Sequence, residues 1–193
     1  MTTSRGGNQF SAGQVTELLD ELDQRLKRRG VAASVFVVGG AAVAATGVRE
    51  ERLTEDVDAI SRDRVVQEEA IAMAKERGIP ENWLNPNATM WMPPLPAGVL
   101  DHLDAPGLRV TYADDPFLFA TKLIAQRAKD ADDVVALAER LGMGDATADE
   151  LEAHMRRYYT DRANLEFILD GDDVDVEFRY LAQDAAGLLS RRR

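Results

Sequence analysis

Residues 31–60 run VAASVFVVGGAAVAATGVREERLTEDVDAI, and the fold of the whole chain is decided in this stretch. Residues 31–38 are apolar and rich in β-branched side chains, and Gly39-Gly40 closes them, which predicts a strand buried on both faces. Residues 39–47 predict a turn or a short helix. Beyond the polar link at 49–55, Asp56-Val57-Asp58-Ala59-Ile60 alternates acidic and apolar residues, as a second strand with one face toward water would. The uncharged run 31–48 has roughly the length of a bilayer span. Ser34, Thr46, the glycine pair and the small alanine side chains argue instead for a buried strand and a tightly packed helix start, so no membrane association is expected.

Working outward, Ser11 can cap a helix in which Val15, Leu18, Leu19, Leu22 and Leu26 recur at helical spacing until Gly30. Residues 63–77 predict a helix stopped by Gly78. The prolines between Pro80 and Pro106 predict a loop region, because proline denies any long element there. Residues 108–112 alternate as a third strand. Asp115-Pro116 offers a cap and a favoured first helical residue for a helix over 117–127. A further helix starts at Asp130 or Asp132 and ends at Gly142. Thr147 with Glu150 makes a capping-box pattern before a helix over 151–159, and helical stretches at 162–169 and 174–189 complete the chain. The expected fold class is α+β: a small mixed sheet flanked by helices, with a helical C-terminal part. The expected division is a core over 1–113, with its N-terminal helix, and a helical part over 114–193 packing on it.

A chain of 193 residues buries roughly 70% of its unfolded surface, enough for a core without covalent staples. Its net charge of −11 disfavours a general nucleic-acid coat or an anionic-membrane binder, so any nucleic-acid contact must use a local basic patch. The absence of cysteine excludes disulfides, thiolate zinc sites and cysteine nucleophiles. Residues 1–10 hold one arginine and no apolar stretch, which reads as a loose tail rather than a secretory signal. A cytoplasmic location is expected.

Two carboxylates at spacing two on a strand share a face and suit magnesium, which takes hard oxygen donors and leaves its other positions to water and phosphates. Four such pairs occur: Asp56/Asp58, Asp130/Asp132, Asp170/Asp172 and Asp173/Asp175. Most are expected to be solvated faces or helix starts. Asp56/Asp58 stands apart because Gly39-Gly40 lies just upstream, where bare backbone at a helix start can meet a phosphate.

Gly39-Gly40-Ala41-Ala42 followed by Arg52-x-Thr54-x-Asp56-Val57-Asp58 resembles the glycine pair and Asp-x-Asp signature of minimal nucleotidyltransferases related to DNA polymerase beta. Trp83-Leu84-Asn85, and Lys122-Leu123-Ile124-Ala125 with Lys129-Asp130 and Asp133, resemble the AbiEii and MenT-like toxin branch of that superfamily. The resemblance spans residues 35–141. It implies Mg²⁺ on Asp56 and Asp58, an NTP held by Gly39 and Gly40, phosphates met by Lys122, and Asp130 as a later catalytic or positioning carboxylate. It also implies nucleotide transfer to the 3′ end of tRNA and a cognate antitoxin as protein partner; transfer to a small-molecule or protein hydroxyl, or a non-catalytic relative, are the alternatives. Where the family has arginine before the late aspartate, this chain has Lys129, and a third metal carboxylate is left between Asp114 and Asp130. Thr54 is suggested by the resemblance as a site of silencing phosphorylation, beside its plain use as a β-branched strand residue.

Read from the residues alone, Lys122 is equally a snorkelling lysine on an apolar helix, and Asp130 equally an N-cap. Arg49 and Arg52 are solvated charges or contacts to triphosphate. His102 and His154 read as surface or packing. Trp83, Met90, Trp91 and Met92 read as packing under the loop, with a base-stacking lip as the alternative. The basic runs at Arg25 and Lys27–Arg29, at Arg156-Arg157 and at Arg191–Arg193 complement helix ends or touch an RNA backbone.

Overall fold

A computed structural model describes residues 9–101, 103–169 and 173–192. His102, the pair Asp170/Asp172, Arg193 and nearly all of the N-terminal tail lie outside the described residues. The chain is an α+β protein with a four-stranded mixed sheet, flanking helices and a helical C-terminal part. It forms two compact units, the first from residues up to 88 with 97–112, the second from residues 89–96 with those from 113 onward. Among the described residues no helix is long and apolar enough to cross a membrane.

In the first unit, helix α1 (Ala12–Arg28) opens with a complete Ser11/Gln14 capping box and buries Val15, Leu18, Leu19, Leu22 and Leu26. Strand β1 (Ala32–Val37) follows, then helix α2 (Gly39–Ala45), strand β2 (Val57–Ile60) and helix α3 (Arg64–Arg77), which ends on left-handed Gly78. Strand β3 (Leu84–Asn85) and edge strand β4 (Gly107–Tyr112) complete the sheet in the order β3-β2-β1-β4. β1 runs antiparallel to β2 and parallel to β4, and β2 runs parallel to β3.

β3 falls where the prolines predicted only loop. Its two residues are held from outside: Gln67 donates to the Leu84 carbonyl at 2.9 Å, and the buried Trp83 donates its indole N–H to the Ala70 carbonyl at 3.0 Å. Long-range pairing thus outweighs the local signal. The basic end of α1 is matched by acids, with Arg25 paired to Glu21 and Glu76, Lys27 to Asp23 and Arg29 to Glu69.

The second unit contains α4 (Asp115–Ala125), α5 (Ala131–Arg140), α6 (Ala148–Tyr158), α7 (Arg162–Ile168) and α8 (Val174–Arg191). The cap of α4 is Asp114, whose Oδ1 accepts the Phe117 N–H at 2.9 Å, rather than Asp115. Asp115 instead accepts from Arg140 at 2.9 Å. His154 is buried, 2.9 Å from the Pro116 carbonyl and against the Phe119 and Tyr158 rings, and burial pushes its imidazole down. It packs, as expected. Tyr159 and Asn164 donate to the carbonyls of Trp91 and Met92 and tie segment 89–96 to this unit. Met92 is buried, whereas Met90 and Trp91 are about half exposed, contrary to the packing role expected of all four residues.

Candidate functional site

The glycine turn and the paired aspartates meet in the first unit. The backbone leaves buried β1, turns at Gly39 with φ +65° and enters α2, whose N-cap Val38 offers no side-chain hydrogen bond to the first-turn N–H groups. With seven residues α2 is short, so its macrodipole is a lesser contribution than a long helix would make. What distinguishes the turn is what lies against it. A Cβ on Gly39 would sit 2.7 Å from Asp58 Oδ2, and one on Gly40 would sit 3.1 Å from Arg52 Nη2 and 3.2 Å from Thr54 Oγ1.

Glycine is therefore required twice at position 39, by its dihedral and by the approach of Asp58. Gly39→Ala is expected to destabilise the chain by about 1–3 kcal/mol, read as a lowered denaturant midpoint at unchanged slope. A midpoint equal to that of the unsubstituted protein would show that the turn is not tight in solution.

Asp56 and Asp58 are both half-buried, and Asp58 lies in β2 while Asp56 immediately precedes it. Asn85 lies beside both. It is the register partner of Asp58 across the β2–β3 pair, and its Nδ2 donates to Asp56 Oδ2 at 2.9 Å. Register partners project to the same side of a sheet, so this bond brings Asp56 to the side that Asp58 occupies. In the sequence Asn85 stands out only within the Trp83-Leu84-Asn85 resemblance; its contact with Asp56 depends on strand β3, which the prolines hide.

Thr54 lies outside β2, so strand alternation does not place it. It bridges Phe10 through the backbone, is buried, and donates its hydroxyl to the Asp56 main-chain carbonyl at 2.8 Å. Arg52 Nη1 donates to the Leu53 carbonyl at 3.0 Å, while Arg49 is paired with Glu51 at 3.0 Å.

Lys122 and Asp130 belong to the second unit and meet each other there. Lys122 is 2% exposed, which is incompatible with snorkelling. Its Nζ contacts Asp130 Oδ1 at 2.7 Å and Asp133 Oδ2 at 3.0 Å. Asp130 stands at the N-cap position of α5 but caps nothing with its side chain; its second oxygen accepts from Arg127 Nε at 2.9 Å. Burial alone would raise the Asp130 carboxyl, yet Lys122 and Arg127 outweigh it and hold the group below its ordinary 3.8. Arg127, not Lys129, thus supplies the guanidinium beside this aspartate. A cleft of about 280 Å³ opens nearby, lined by Lys122, Gln126, Arg127, Asp184 and Arg191 among others.

Comparison with known protein families, with characterised proteins and with solved structures finds no match to the chain. Two clusters carry the chain's chemistry among the described residues. In the first, oxygen donors, bare glycine backbone and a guanidinium converge, an arrangement able to bind a cation and a polyanion side by side. The second is a buried ion cluster that neutralises itself. Among the described residues no group of three or more acidic or histidine side chains is gathered to hold a metal.

Proposed function

We propose that the chain is a metal-dependent nucleotidyltransferase that moves a nucleotide from an NTP to the 3′ end of tRNA, as the toxin of a toxin–antitoxin pair with a cognate antitoxin protein. A small mixed sheet of the nucleotidyltransferase type carries the site. The observation that supports this most is the placement of Asp58 and Arg52 against the Gly39-Gly40 turn, with Asp56 bonded to Asn85, the register partner of Asp58. Magnesium needs only one or two protein carboxylates and completes its shell with water and substrate phosphates, so the pair Asp56/Asp58 fits it without a third acid. When bound, the ion supplies charge neutralisation at the phosphate under attack.

The chain's own residues then divide the work. Asp56 and Asp58 would supply the carboxylate oxygens that hold the ion. Gly39 and Gly40 leave the backbone bare for close approach of the triphosphate, and Arg52 offsets its charge. The acceptor hydroxyl gives up its proton to solvent water while its oxygen bonds to the α-phosphorus and the bond to pyrophosphate breaks in line.

A second acceptor class is favoured by one observation. The chain is strongly acidic, and many of its basic side chains are already paired, Arg156 with Glu152 and Asp175, Arg162 with Asp175, and Arg192 with Asp132. Among the described residues these pairs offset part of the basic charge an RNA backbone would meet, which favours a small-molecule or protein hydroxyl. Incubation with each labelled NTP and Mg²⁺, beside total RNA and total protein in separate arms, tests both. Label in RNA is the expected result, and label in protein supports the second class. No Asp56-dependent label in either arm, nor in small-molecule products, overturns the enzyme in favour of a partner-binding relative.

A further inference from the structure

We infer that Asn85 is a positioning residue that orients the Asp56 carboxylate for metal binding. This rests on the nucleotidyltransferase proposal and extends it to a residue that touches neither metal nor nucleotide. Asn85 is buried, and three hydrogen bonds fix its amide: Nδ2 donates to Asp56 Oδ2 at 2.9 Å and to the Asn82 carbonyl at 3.3 Å, while Oδ1 accepts the Asn87 N–H at 2.9 Å. The carbonyl end is committed to a backbone donor, so the amide cannot rotate without losing that bond. The NH₂ end must therefore face Asp56.

The consequence for Asp56 is specific. Asp56 lies just outside β2, and the amide of Asn85 restrains one of its two oxygens. Restraining one oxygen leaves the other to meet a cation from a fixed direction, which is how outer partners raise the affinity of a carboxylate ligand. The β2–β3 register places this donor opposite Asp58, so Asp56 is restrained on the side of the sheet where Asp58 stands. An asparagine kept only to pack β3 could be replaced without any effect on metal binding.

Mn²⁺ binding to the full chain, followed by the electron-paramagnetic signal of the free ion, tests this without catalysis. Asn85→Ala is expected to weaken Mn²⁺ binding about 10–100-fold and to leave the melting profile cooperative. In an Asp56→Asn background the same change should cost no further affinity, because the residue acts through Asp56. Should Asn85→Ala fail to fold, Asn85→Ser keeps an oxygen for the Asn87 N–H and is judged by the same two comparisons. Unchanged Mn²⁺ affinity in a folded Asn85 variant overturns the positioning role alone. If the unsubstituted chain shows no Asp56-dependent Mn²⁺ binding, the metal site and this inference fall together.

Discussion

Asp56→Ala is expected to reduce nucleotide transfer on the order of a thousandfold, because several kcal/mol of phosphate-charge stabilisation leave with a metal ligand. The fold should survive. Asp56 is half-buried and outside the regular strand, and its loss strips Asn85 of one hydrogen bond while two others remain. That costs about 1 kcal/mol, or a melting shift of about 2–4 °C. Transfer of labelled NTP, measured beside a thermal melt, separates the two effects. Wild-type turnover in the variant would remove Asp56 from the metal site. Loss of turnover together with a collapsed melt would assign Asp56 to structure instead.

Lys122→Met should have the largest effect on stability. The lysine is buried with Asp130 and Asp133, and methionine keeps its apolar stem while deleting the charge. Removing one member of a buried ion cluster leaves uncompensated charge and costs about 3–5 kcal/mol, a melting shift of about 10 °C. Adding Asp130→Asn and Asp133→Asn should restore most of it, since the penalty comes from the buried negative charge left in excess rather than from lost packing. A single Lys122→Met variant that melts like the unsubstituted protein would show that the cluster is not formed. The same pairing has a pH signature. The Asp130 carboxyl is held below 3.8 in the folded chain, so its contribution is fully present above that pH and drains as the pH falls through the lowered value. Asp130→Asn should accordingly flatten the acid limb of the stability curve. Loss of activity on substituting Lys122 therefore signals a phosphate contact only if the second unit remains folded.

What sequence alone determined lies in local periodicity and local chemistry. Whereas β2, expected to keep one face toward water, is buried at every residue but Asp58, the apolar face of α1, its Ser11 cap, the stop at Gly78, the Thr147/Glu150 capping box and the buried strand β1 all follow from residues within a few positions of one another. So does the glycine at position 39, since a strand leading abruptly into a helix demands a backbone that few other residues adopt. Tertiary structure decided the rest, because the decisive partners are far apart in the chain. β3 exists only because Gln67 and β2 hold two residues that proline neighbours would leave as loop. The orientation of Asp56 depends on Asn85, 29 positions away. The fate of Lys122 was undecidable from its apolar helix, since snorkelling and burial share one pattern until a countercharge is located. Left-handed Gln126 ends α4 with φ +40°, and the following 3-10 turn returns Asp130 to Lys122, a closure that no spacing rule encodes.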